Sequence, residues 1–174
     1  VASDPELARR LADAIPGLEL DAAAHQQEHA IEVQLPFLAR LAPQAKVVGI
    51  TIGGGNLAKC REFAAGLTHV VGVMESRPLL VVSTDKHHYA AESENRRLDQ
   101  IALEAIERLD PGEVYHSVVR HSISMCGVLP AVIIMQAIRN LGGLKECRRV
   151  AYGTSGSVSN DVSRVVGYAG MLFR

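Results

Sequence analysis

The 174-residue sequence contains no tryptophan, three phenylalanines and four tyrosines. So few planar side chains leave little with which to stack nucleobases. Charge of one sign is missing too: 18 Lys and Arg stand against 19 Asp and Glu with no block of like charge, so the electrostatic footprint of a nucleic-acid binder is absent. No long hydrophobic run exists. The longest apolar stretch, Val128 to Met135, contains Pro130 and falls far short of the about 20 residues that cross a bilayer. A soluble protein with neither nucleic acid nor membrane as partner is expected. Cys60, Cys126 and Cys147 are odd in number and lack C-x-x-C spacing. They fit neither a disulfide framework nor a four-cysteine zinc site, and point to a reducing, cytoplasmic compartment. The chain opens on Val1 with no charged-then-apolar leader, so no targeting segment is expected, and it reads as a piece of something longer.

What is present is the composition of one globular domain, 48% apolar and 21% charged. Asp4-Pro5-Glu6 marks a helix start, with Leu7, Leu11 and Ile15 on one face. A second helix is expected over Glu28 to Leu41, kinked or divided by Pro36. Lys46 to Ile52 is β-branched and apolar between Pro43 and Gly53, and reads as a strand. A helix over Leu57 to Val73 follows, then the apolar run Pro78 to Ser83, which reads as a parallel strand covered on both faces and completes a βαβ unit. Helices are expected from Leu98, from Asp110-Pro111 and over Ala131 to Leu141. Strands at Arg149 to Gly153 and Arg164 to Phe173 close the chain. The expected fold class is α/β, a mostly parallel sheet flanked by helices, in a single domain spanning 1–174.

Ser83-Thr84-Asp85-Lys86-His87-His88-Tyr89 follows directly on an apolar strand pattern, and ligand sites of open α/β sheets lie beyond the carboxyl ends of strands. Adjacent side chains diverge, so one histidine of the pair can serve as ligand or base while the other faces away. The same loop also reads as a polar turn capping the next helix. His25-Gln26-Gln27-Glu28-His29 spells the inverted zinc-protease motif, which needs a regular helix through all five residues. Here a loop passes into a helix, and the blander reading is a helix start with Glu28 favouring the dipole. Cys126 precedes a core helix, where a thiolate is favoured, or else it packs as a small apolar residue. The Gly53-Gly54-Gly55 loop lacks the residues of a phosphate-binding motif, and Ser155 lacks a nucleophile elbow.

Jointly, Glu28 to Phe37 (EHAIEVQLPF), Ser83-Thr84-Asp85 with His88-Tyr89, Ser124-Met125-Cys126-Gly127, and Tyr152 to Gly156 with Asp161 to Ala169 resemble the Memo family, whose prokaryotic members are called AmmeMemoRadiSam system protein B. The motifs occur in family order across nearly the whole chain. The resemblance implies a fold similar to class III extradiol dioxygenases and a pocket holding non-haem iron or copper. It implies His88 and Cys126 as metal ligands, and catalytic roles for His88, Asp85 and His29 around the same pocket. It further implies that residues 1–174 are the later part of a longer domain, because two more ligand histidines of the family lie in an earlier segment, in motifs resembling His-Ala-Gly-Tyr and Gly-Pro-Ser-His. Lys86 and His87 depart from the family pattern and place a cation beside the pocket.

The expected function is therefore that of a metal-binding protein with a redox or dioxygenase-like role. The alternative is a non-catalytic module that uses a dioxygenase-like pocket to bind a small molecule or peptide. One thiolate, one imidazole and one carboxylate suit iron, copper or zinc rather than magnesium or calcium.

Overall fold

The computed structural model describes residues 1–174, a mixed α/β chain of seven α-helices and two small sheets. Asp4 caps α1 (Pro5–Ala14) by accepting the Leu7 amide at 3.0 Å, as its Asp-Pro start predicts. The expected helix over 28–41 is divided: a 3₁₀ turn at Glu32–Gln34 leads into the short α2 (Leu35–Leu41), with Pro36 in its first turn. Proline is tolerated there because the first-turn amides have no helical acceptor. The longer helices follow: α3 (Leu57–Gly72), α4 (Glu92–Glu107), α5 (Pro111–Arg120) and α6 (Val128–Asn140), of which α4 starts six residues ahead of the expected Leu98 and the other three begin within a few residues of the expected starts. A last single turn, α7 (Gly156–Ser159), follows much later.

These helices share one apolar core. α3 packs against α1 and α6, and α5 against α4 and α6. Leu11, Ile15, Leu67, Ile106, Val114, Val132 and Met135 are among its buried members. α4 is amphipathic in the stricter sense: Leu98, Ala102, Ala105 and Ile106 face the helices, while the same element also contacts all three strands of the larger sheet.

Two small sheets form, one parallel and one antiparallel. β1 (Ala2–Ser3) and β2 (Lys46–Val47) pair in parallel over two residues each. The larger sheet, β3 (His88–Ala90), β4 (Cys147–Thr154) and β5 (Val165–Phe173) in the order β3-β5-β4, is antiparallel. Its last two strands are joined by a connection too short for a crossover helix, which forces them antiparallel. Residues 48–52 and Pro78–Ser83 form no hydrogen-bonded ladder, so the expected βαβ unit is not made by α3 and its flanks. The reason is visible at Leu79 and Val81, which are 83% and 58% exposed. Continuous apolarity alone does not make a strand when no neighbouring strand offers partners for its amides and carbonyls. No helix is long and apolar enough to cross a membrane.

Candidate metal centre

The residues after the 78–83 run turn sharply into β3, and the turn before α6 meets them. Asp85 and His88 from the first segment and Cys126 from the second bring one ligand atom each within 4.8 Å of one another. His88 Nε2 lies 3.5 Å from Asp85 Oδ2. Cys126 Sγ receives the Asp85 amide at 3.4 Å and sits 3.6 Å from the Thr84 hydroxyl. Thr84 joins the two segments: its Oγ1 accepts the Gly127 amide at 2.8 Å and donates to the Asp85 carbonyl at 2.8 Å.

The His88 ring is oriented from behind. Its Nδ1 meets the Ser124 carbonyl, which can only accept, so the proton resides on Nδ1 and the Nε2 lone pair faces Asp85. The Ser124 hydroxyl accepts the His88 amide at 2.9 Å. His87 turns elsewhere: its Nδ1 accepts the Ser124 amide at 3.1 Å. The two histidines thus diverge as adjacent side chains must. Tyr89 follows with φ of 63°, a left-handed conformation that an aromatic residue adopts only under constraint, and the β3–β5 register slips between His88 and Ala90. Arg164 lies over the Tyr89 ring at 5.1 Å. Partial burial, then the nearby Asp85 and Tyr89, raises the Tyr168 hydroxyl above its ordinary range.

Behind the loop is a buried polar layer. Lys86 is 3% exposed, and burial lowers its ammonium's pKa against the opposing pull of Asp99, Cys126 and Asp85. Asp99, fully buried on α4, accepts the His87 amide on Oδ1 at 2.7 Å. Its Oδ2 accepts Asn95 Nδ2 at 2.9 Å and the Tyr152 hydroxyl at 2.7 Å. Burial, then the bond to Asp99, pushes the Tyr152 hydroxyl well above the usual tyrosine range.

The structure does not bring His29 into the cluster. It is exposed, and Glu28 spends its carboxylate on the amides of Ala30 and Ile31, at 2.5 and 3.0 Å. Gln34 Nε2, donating to Ser83 Oγ at 3.2 Å, ties that segment to the residues leading into the site. His25 closes a 3₁₀ turn and no helix runs from it to His29, so the inverted zinc-protease geometry is absent. The glycine loop serves α3, whose cap is Asn56 accepting the Lys59 amide at 3.0 Å. Thr154 donates to Glu92 Oε1 at 2.8 Å, an interstrand-to-helix tie rather than a pocket wall. Sequence reading assigned no role to Thr84, Ser124 or Asp99. The only signal for Asp99 was an acidic residue one position after Leu98 on an otherwise apolar helix face.

An α/β chain whose loop ends present an aspartate, a histidine and a cysteine to one point is a candidate metal-binding protein by its donor set. The model of the Memo-like protein family matches residues 1–172, and the chain belongs to that family. It is similar to a MEMO1 family protein of Aquifex aeolicus, 39% identical over 154 residues, covering 88% of this chain and 57% of that one. It is also similar to MEMO1 family proteins of Methanobrevibacter smithii, 31% identical over 171 residues, and of Desulfurococcus amylolyticus, 33% identical over 171 residues. Each of those two comparisons covers 98% of this chain and 60% of the relative. The chain thus spans less than two thirds of the length of these curated relatives.

Proposed function

We propose that His88, Cys126 and Asp85 hold a transition-metal ion, iron or copper, in a Memo-like pocket with a redox or dioxygenase-like role. The observation that carries this is the approach of the three ligand atoms to within 4.8 Å of one another. The donor set fits such an ion. Two ligands about 2.1 Å from a tetrahedral metal stand roughly 3.4 Å apart, and His88 Nε2 and Asp85 Oδ2 are separated by 3.5 Å. The imidazole offers a free Nε2 because Nδ1 is engaged by Ser124, the usual way a ligating histidine is oriented. A bound iron or copper would supply Lewis-acid and one-electron chemistry. Around it the protein's own work is to fix the imidazole through Ser124, to hold Cys126 against the Asp85 amide, and to keep Asp85 within reach of any proton on His88 Nε2.

Three protein donors leave coordination positions free. In the family resemblance those go to histidines of an earlier segment, and we take residues 1–174 to be the later part of such a domain. The fold that fits this reading is the parallel-sheet, dioxygenase-like one, and the compartment is the cytoplasm. His29, exposed and outside the cluster, enters this reading only through the family resemblance, as a residue close to the same pocket.

A second reading, a non-catalytic module for a small molecule or peptide, is favoured by a cavity of about 460 Å³ beside the site. Leu79, Val82, Ile134, Met135 and Phe173 line it, together with Thr84, which joins the ligand-bearing segments, and Lys86 of the polar layer. Anaerobic calorimetry with Fe²⁺ tests the first reading. His88→Ala and Cys126→Ala should each abolish binding, and undiminished affinity in either variant overturns it. Oxygen uptake with the iron-loaded protein and a catechol, lost in His88→Ala, separates the enzyme from the module.

A further inference from the structure

Asp85 and His88 belong to one turn, and what holds the middle of that turn lies outside it. Lys86 donates its amide to the Gly167 carbonyl at 2.9 Å, and the Gly167 amide donates to the His87 carbonyl at 3.2 Å. The next amide along, that of His87, goes to Asp99 Oδ1 at 2.7 Å. Gly167 fits because it has no side chain: a Cβ there would stand 1.8 Å from Asp99 Oδ2. Turn, strand and carboxylate therefore meet within bonding distance.

Asp99 is a costly choice at this place. Aspartate is a poor residue for a helix interior, and a carboxylate removed from water must be repaid by hydrogen bonds. It is fully buried, and no Lys, Arg or His nitrogen comes within ion-pairing distance of it. Three donors from three separate elements supply the repayment: the His87 amide, Asn95 Nδ2 and the Tyr152 hydroxyl. Asn95 commits its amide nitrogen to this carboxylate and leaves its own buried Oδ1 without a partner. A buried side chain that only filled space would be served better by leucine.

We propose that Asp99 is a positioning residue for the metal centre. Its carboxylate pins the His87 amide, and through it the turn that carries Asp85 and His88 towards Cys126. The proposal rests on the metal-binding reading above and adds to it a residue that touches none of the three ligands. Partners of this outer kind typically cost 10- to 100-fold in metal affinity when removed.

The test compares Co²⁺ titrations, followed by the thiolate-to-cobalt absorption band, with amide hydrogen exchange at His87 and His88 in the metal-free chain. Asp99→Asn keeps the shape but puts an amide donor where Oδ2 now receives two donors. It should weaken Co²⁺ binding about 10- to 100-fold and speed exchange at both amides. Tyr152→Phe strips a donor from Oδ2 and leaves the His87 contact in place, so it should lower the melting temperature while changing Co²⁺ affinity less than about threefold. If affinity in the two variants simply follows their loss of stability, or if Asp99→Asn binds as wild type does, the proposal is overturned. Should Asp99→Asn not fold, Asp99→Glu, with the charge kept and moved by one carbon, carries the test with the same expected direction. A wild-type chain that takes up no Co²⁺ overturns the metal reading. The hold on the turn is then judged on exchange alone, where unchanged rates in Asp99→Asn reject it.

Discussion

Ser124 grips His88 at both ends: its hydroxyl accepts the His88 amide at 2.9 Å and its carbonyl accepts the proton on ring Nδ1. One residue thereby sets the backbone, the ring orientation and the tautomer of the imidazole. Ser124→Ala removes the first contact and keeps the second. Affinity for Co²⁺ should fall about tenfold, against complete loss in His88→Ala, with both measured by titration of the cobalt band. Equal losses would show that the carbonyl alone does not orient the ring.

Cys126 is exposed, Cys60 is 2% exposed, and burial pushes the thiols of Cys60 and Cys147 up. Iodoacetamide at neutral pH should therefore modify Cys126 first, as read by peptide mass spectrometry. Saturating Co²⁺ should slow Cys126 alone. Modification of Cys126 at an unchanged rate in the presence of metal places the ion elsewhere.

Lys86 buries an ammonium group whose charge is disfavoured by its burial and favoured by Asp99, Cys126 and Asp85. That charge opposes a dication in the same place. Lys86→Met keeps the length and apolar stem, and should raise Co²⁺ affinity by about tenfold, an effect of the size expected for a unit charge a few ångströms away in a partly screened site. Weaker binding in this variant would mean that the ammonium supports the ligand geometry rather than opposing the ion.

Gly127 and Gly170 offer a paired test of packing. A Cβ at Gly127 would stand 2.3 Å from Thr84 Cβ, whereas one at Gly170 meets only Val150 Cβ at 3.8 Å. Gly127→Ala should cost about 1–3 kcal/mol and weaken metal binding, because Thr84 must give way and it joins the two ligand-bearing segments. Gly170→Ala should stay within about 0.5 kcal/mol of wild type. Thermal denaturation of both variants checks the contrast.

The Tyr152 hydroxyl is held above its ordinary range by burial and by its bond to Asp99. As pH rises the unfolded chain releases this proton first. The contribution is fully present below about pH 10 and drains away above it, until the folded group itself ionises. Above about pH 10 the wild-type melting temperature should drop more steeply than that of Tyr152→Phe. Parallel curves would show that the hydroxyl titrates as freely in the fold as out of it.

The helices were legible because their causes are local. Asp4-Pro5 and Asp110-Pro111 cap and open α1 and α5, and the apolar spacing from Leu57 and across Ala131 to Leu141 marks the faces that α3 and α6 bury. The last two strands were equally readable, to within a few residues. The runs at 48–52 and 78–83 misled because strand formation is a property of pairs. Their apolarity is real, but a ladder needs a neighbour, and which segments become neighbours is settled by packing at long range.

At the site, the sequence by itself determined the donor types and their order: a carboxylate and an imidazole in one loop, a thiol ahead of a core helix. The family resemblance already named His88 over His87, and only the tertiary structure decided that the three donors converge and that His29 stands outside. Thr84 and Gly127 stand 43 residues apart and His87 and Asp99 12 apart, each pair on different segments, so no local pattern relates either pair. Those contacts exist because α4 and β5 close against the turn, and it is that closure, bonding amides to a buried carboxylate and to a bare glycine, that aims the donors at one point.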